Sequence, residues 1–192
     1  VDNWRLDMAS ASLYKPYENF LKVIKPNKEK VEKMVEYLKD IVDNGNPAFR
    51  IKYNLRMEEP SPDPAVNASL KARKFEDRSY CSANFSALFI LPTGEVTVCE
   101  ELYFNKRFIV GNVLEQGLLD IWNSPRAQEQ YFIQQSDIPA DSPCSTCNEF
   151  EECRRTKGIC YRDTIKAFGE EKWYYPDSNC PKAPEALYEF SV

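Results

Sequence analysis

The stretch Pro143–Cys160 reads PCSTCNEFEECRRTKGIC, which spaces Cys144, Cys147, Cys153 and Cys160 as C-x2-C-x5-C-x6-C. These four thiols stand among Ser145, Thr146, Asn148, Glu149, Glu151, Glu152, Arg154, Arg155 and Lys157, a polar loop with no evident core to receive free cysteines. Metal ligation explains such a loop better. A C-x2-C turn presents two thiolates to one centre and points backbone N–H groups at the sulfurs, which offsets the charge gathered there. Cys153 adds a third thiolate nearby in sequence, and one distant cysteine completes a tetrathiolate set.

The remaining cysteines are Cys81, Cys99 and Cys180. Seven is an odd number, and no basic region followed by an apolar stretch opens the sequence, so a disulfide framework is disfavoured. The sequons at Asn67 and Asn84 carry little weight, because such tripeptides arise often by chance. There is no histidine. That excludes Ser-His-Asp chemistry, His-assisted cysteine proteolysis and every zinc site with an imidazole ligand within these residues. Soft thiolates suit Zn(Cys)4 and iron–sulfur clusters alike, and spacing alone does not choose between them. A single zinc ribbon uses four cysteines, whereas seven is four plus three.

The 192 residues are 43% hydrophobic, 13% aromatic and 29% charged, a globular balance able to bury a core. A formal charge of −5 gives no electrostatic reason to expect nucleic acid or an anionic membrane as a partner. No apolar run approaches the roughly 18 residues of a membrane span, so a cytoplasmic protein is expected.

An α+β fold is expected from the rest of the chain. In residues 1–57, Trp4 to Met8 has the look of a short strand. Val31, Met34, Val35, Leu38, Ile41 and Val42 fall at helical spacing between a capping Asn27 and Gly45. Phe49 to Met57 then alternates apolar and polar positions, the period of a half-buried strand. Such a strand–helix–strand unit feeds a parallel sheet, and two or three elements cannot close one. Residues 58–79 carry prolines, serines and mixed charge without periodicity and read as a linker or ordered crossover loop. From residue 80, Phe85 to Cys99 is patterned as a hairpin about Pro92-Thr93-Gly94-Glu95. Gly111-Asn112 marks a turn, and Leu114 to Trp122 suggests a helix interrupted near Pro125. After Asp141 cysteine spacing replaces regular periods.

From Cys81 to Cys180 the chain resembles the SPASM domain, the auxiliary-cluster module of many radical S-adenosylmethionine enzymes. The resemblance rests on Cys81-x12-Gly94-x4-Cys99, on Cys144-x2-Cys147-x5-Cys153, on Cys180, and on Gly111-Asn112 followed by Ile121-Trp122. Six residues separate Cys153 from Cys160 where the family usually has three. The family's catalytic C-x3-C-x2-C is not in these residues, and residues 1–57 resemble the last strand–helix–strand portion of the partial (β/α) barrel that precedes the module. The resemblance implies a C-terminal portion of such an enzyme, inactive alone in cleaving S-adenosylmethionine, which the N-terminal part would bind.

By resemblance, Cys144, Cys147, Cys153 and Cys180 hold one 4Fe-4S cluster, and Cys81, Cys99 and Cys160 serve a second whose fourth position is open. Glu100 or Glu101 is within reach of that position in sequence, although charged residues after a strand are more often simply solvated. Gly94 is expected to serve the turn and Trp122 the core, with Trp173-Tyr174-Tyr175 packing about a cluster loop or lining a peptide groove. The implied partners are a peptide or protein substrate and an electron donor such as flavodoxin or ferredoxin. The competing class is a zinc-stabilised, cysteine-rich binding module without redox activity.

Overall fold

The computed structural model describes residues 2–9, 22–23, 27–55, 61–81, 83, 85–156 and 158–187. The chain divides into two compact units that part between Pro62 and Asp63.

In the first unit, β1 (Asn3–Asp7) and β2 (Arg50–Asn54) pair in parallel, with Trp4 opposite Ile51 and Leu6 opposite Tyr53. Between them runs α1 (Lys28–Asn44), opened by Asn27, whose side chain accepts a hydrogen bond from the Lys30 N–H. The strand–helix–strand expectation therefore holds. Gly45 ends α1 with φ −85°, so it is Asn46, at φ 43°, that turns the chain through the left-handed region. Arg56 and Met57, the end of the expected strand, lie outside the described residues. Leu38 is fully buried, but Trp4, Met34, Tyr37 and Val42 stay exposed.

The second unit begins with a correction. Pro64–Glu76, inside the stretch read as linker or loop, is a helix, α2. Asp63 caps it through the Ala65 N–H, and Pro64 fills the first turn, where no N–H is needed. Its sequence lacks a strong apolar stripe and it buries no residue completely, which is why periodicity did not announce it. β3 (Phe89–Ile90) and β4 (Glu95–Thr97) form the expected hairpin, with Gly94 at φ +83° in its turn. β5 (Ile109–Asn112) adds a third antiparallel strand on β4.

Gly111 therefore lies in a strand and not in a turn; the turn starts at Asn112, whose side chain accepts from the Leu114 N–H. Two short helices follow, α3 (Leu118–Trp122) and α4 (Pro125–Tyr131), with the expected break between them. The core anchor is Ile121, fully buried, rather than the half-buried Trp122. A Cβ on Gly111 would stand 2.8 Å from Ile121 Cγ1, so the glycine makes the space that Ile121 fills.

The region after Asp141 is more regular than its sequence suggests. It contains α5 (Phe150–Thr156) and α6 (Tyr161–Phe168). Tyr161, Thr164, Ile165 and Phe168 fall at i, i+3, i+4 and i+7 and are all buried, a helical stripe hidden beside the cysteine pattern. The core joins Val96, Val98, Leu102, Phe108 and Val110 of the sheet region to Ile121, Ala127 and α6, and the Phe108 and Tyr161 rings meet at 5.1 Å. A smaller cluster gathers Ile133, Ile138 and Phe150. Among the described residues no helix is long and apolar enough to cross a membrane.

Candidate metal centre

All seven cysteines are free thiols and all are half-buried. Cys144 stands on the short 3-10 turn Pro143–Thr146 opened by Pro143, where the buried Ser142 hydroxyl accepts from its N–H at 3.2 Å. Gln135 Nε2 donates to the carbonyls of both Cys144 (2.9 Å) and Cys147 (2.7 Å), locking the C-x2-C turn. Contrary to expectation this loop does have a core: Cys144, Cys147, Trp173 and Tyr174 pack against Ile133, Ile138 and Phe150. Cys153 rides on α5. Cys180 is set by a turn in which its N–H donates to the Asp177 carbonyl at 2.9 Å.

The sulfurs sort into two electrostatic neighbourhoods. Cys180 feels Cys144, Cys153 and Cys147, and Cys144 feels Cys147. Cys99 and Cys160 each feel Cys81. Burial pushes all four shifted thiols up: Cys144 and Cys180 rise, Cys99 reaches about 11 and Cys160 about 12. Among the described residues no group of three or more cysteine or carboxylate side chains converges on a single metal-ion position.

The long Cys153-to-Cys160 spacing has a local explanation. The chain finishes α5 after Cys153, reverses at Gly158 with φ +66°, buries Ile159, and reaches Cys160 as the cap of α6. Those steps carry the two thiols into different neighbourhoods.

Cations face the four-cysteine group. Arg78 Nη2 donates to Cys153 Sγ at 3.0 Å, Lys182 Nζ to Cys147 Sγ at 3.3 Å, and the Lys182 N–H to Cys180 Sγ at 3.4 Å. Arg154 lies against the Cys144 sulfur, and its Nη2 is buried without a hydrogen-bond partner, as is Arg78 Nε. Soft thiols surrounded by such donors fit a centre whose sulfurs carry negative charge. None of these cations was singled out from sequence. Arg78 precedes Cys153 by 75 positions, and no spacing rule connects the two.

About the three-cysteine group the balance is acidic. The Glu100 carboxylate lies 3.8 Å from Cys99 Sγ, and Glu101 is held in ion pairs with Arg162 at 3.0 Å and Lys166 at 3.2 Å. Of the two carboxylates, Glu101 is thus occupied and Glu100 stands against the thiol. Trp173 stacks under Arg107 at 3.4 Å, and the Tyr174 and Tyr175 hydroxyls both reach Asp141. The aromatic triplet is packing around the loop. A shallow cleft lined by Tyr80, Cys81, Tyr131, Arg154 and Tyr161 adjoins both neighbourhoods.

Comparison with known proteins gives two kinds of match. The chain is 32% identical over 65 residues to an acidic phospholipase A2, CH-E6', of Crotalus horridus, covering 33% of this chain and 46% of that protein. It is 38% identical over 45 residues to acidic phospholipases A2 of Crotalus adamanteus and Crotalus atrox, covering 23% of this chain and 31% of theirs. The chain therefore spans less than half the length of these curated relatives. No solved structure matches. The family model for SPASM, an iron-sulfur cluster-binding domain, matches residues 81–148, about a third of the chain, and includes Cys81, Cys99, Cys144 and Cys147. By that match, the chain carries a SPASM iron–sulfur cluster-binding domain over residues 81–148.

Proposed function

We propose that the chain is the auxiliary-cluster portion of a cytoplasmic radical S-adenosylmethionine enzyme acting on a peptide or protein, and that it holds two 4Fe-4S clusters. Cys144, Cys147, Cys153 and Cys180 ligate one, and Cys81, Cys99 and Cys160 the other. The observation that carries this reading is the match of residues 81–148 to the SPASM iron–sulfur cluster-binding domain, and the influence of Cys144, Cys147 and Cys153 on Cys180 and of Cys81 on Cys99 and Cys160 supports the grouping. Such centres, when bound, supply one-electron transfer. The chain's own residues position and shield them: Gln135 fixes the C-x2-C backbone, Ile133, Ile138 and Phe150 exclude water, and Arg78, Arg154 and Lys182 balance charge.

Two further features support the wider reading. The parallel pair β1–β2 with α1 leaves Trp4, Met34, Tyr37 and Val42 exposed, as expected of the end of a larger β/α barrel. That barrel would bind S-adenosylmethionine. Beside the Cys81 cleft, the rings of Tyr80, Phe85 and Tyr131 stack at 5.9 and 5.6 Å with Tyr80 and Phe85 exposed, a surface we assign to the peptide. Flavodoxin or ferredoxin is the proposed electron donor.

A zinc-stabilised module is the competing reading, favoured by the same thiolates. Phospholipase activity is not proposed, since these 192 residues contain no imidazole to serve as a base. Metal analysis after anaerobic loading decides between iron and zinc. The expected product is brown with about eight irons per chain; a colourless protein holding stoichiometric zinc after the same treatment overturns the iron reading.

A further inference from the structure

The two cysteine neighbourhoods differ sharply in the charge that faces them. Three cations, Arg78, Arg154 and Lys182, lie against sulfurs of the four-cysteine group, and the carboxylate among them is Glu149, 2.9 Å from Lys182 Nζ. Around the three-cysteine group stand Glu100, Glu101 and Asp163, answered by Arg162 and Lys166. Arg162 bears on both Cys99 and Cys160 but is spread over carboxylates as well: its Nε is 2.9 Å from Asp163 and its Nη1 3.0 Å from Glu101.

Arg78 is built into its place. Its Nη1 donates to the Phe75 carbonyl at the end of α2, its guanidinium lies 3.7 Å over the Phe75 ring, and Nη2 is left to face Cys153. Two anchors and one aimed donor make it a fixed charge rather than a wandering side chain. Lys182 reaches the group twice, once through its ammonium and once through its backbone N–H.

Resting on the iron–sulfur reading above, we propose that Arg78, Arg154 and Lys182 are potential-setting residues that hold the four-cysteine centre at a higher reduction potential than the three-cysteine centre. One-electron reduction adds one negative charge to a centre and makes or breaks no ligand bond. Hydrogen bonds to the sulfurs and positive charge beside them stabilise that added charge, whereas neighbouring carboxylates oppose it. An electron shared between the two centres therefore rests on the four-cysteine side. The three cations act through the sulfurs and are positioning residues; Arg78, two residues past the end of α2, is the most rigidly placed.

The test is an anaerobic redox titration of the loaded full chain followed by electron paramagnetic resonance, with the four-cysteine signal assigned in a Cys99→Ala variant. The four-cysteine signal is expected to have the higher midpoint. Arg78→Leu should lower that midpoint by at least tenfold in the reduction equilibrium, about 59 mV for one electron, and leave the other signal in place. Arg78→Lys should recover part of the shift. Lys182→Met, which keeps the backbone N–H, should shift the same signal in the same direction and serves if Arg78→Leu does not load. A four-cysteine midpoint below the other, midpoints unmoved in the loaded variants, or equal movement of both signals overturns the inference. A wild-type chain that takes up no iron overturns the function reading beneath it, and is recognised before any titration by its metal content.

Discussion

At the scale of single residues, Gly111 and Ile121 show why two short sequence signals occur together. A side chain at 111 would stand 2.8 to 2.9 Å from the Ile121 methyl and methylene carbons, and Ile121 is fully buried. Gly111→Ala is expected to lower stability by about 1–3 kcal/mol through overpacking. Ile121→Ala should cost about 2–5 kcal/mol through the cavity it leaves. Combined, they should cost less than their sum, because each removes the conflict created by the other. Urea midpoints of the four proteins, identically loaded, check this, and strict additivity would contradict the contact.

The thiols make a second prediction at this scale. Burial raises Cys99 to about 11 and Cys160 to about 12 from an ordinary 9.0. A raised folded-state value means that the neutral thiol is favoured by folding, so this contribution is complete below pH 9 and declines as pH rises toward 12. Metal-free protein should therefore lose stability above about pH 9, as seen in melting temperature against pH. Loading must strip those protons, so uptake at neutral pH should release acid and strengthen as pH rises. Uptake without proton release would show that the thiols are not the ligands.

Among the elements, α1 and the β3–β4 hairpin were legible because each carries its own local signature: Asn27 with a helical apolar stripe, and Gly94 between two apolar runs. Helix α2 was not, because its start is marked only by Asp63-Pro64 and it covers no apolar stripe strong enough to see. Helix α6 was hidden for a different reason. Its stripe is only four residues, Tyr161, Thr164, Ile165 and Phe168, and lies between cysteines whose spacing drew the eye to the loop. The cysteine spacing led to the domain whose model matches residues 81–148, while Arg78, Arg154 and Lys182 were not legible, since a charge 75 positions from its sulfur has no sequence rule.

These elements should respond differently to metal removal. Within the cysteine-rich region after Asp141, α6 is packed through Tyr161 against Phe108 and Trp173 and has apolar support of its own. Hydrogen exchange on metal-free and loaded protein should show lost protection over residues 142–153 and 177–182. Residues 161–168 and the first-unit helix 28–44 should keep theirs. Unchanged protection through Cys144 to Cys153 in verified metal-free protein would deny these cysteines a structural role.

For the molecule as a whole, the account stands on one proposed division of seven cysteines, spread over a hundred residues and several elements, into a group of four and a group of three, supported by the influence of Cys144, Cys147 and Cys153 on Cys180 and of Cys81 on Cys99 and Cys160. The fold makes the division physical by placing Gly158 between α5 and α6, so that consecutive cysteines part company. The two proposed centres would have differently charged surroundings, Arg78 and Lys182 against Cys153 and Cys147, Glu100 against Cys99. The most direct test is iron content with Mössbauer and electron paramagnetic resonance spectra of anaerobically loaded wild type, Cys180→Ala and Cys99→Ala. The wild type should show two distinguishable centres. Cys180→Ala should lose or convert only one of them and Cys99→Ala only the other, each keeping about half the iron. Loss of the same signal in both variants, or of both signals in either folded variant, would contradict the division into four and three.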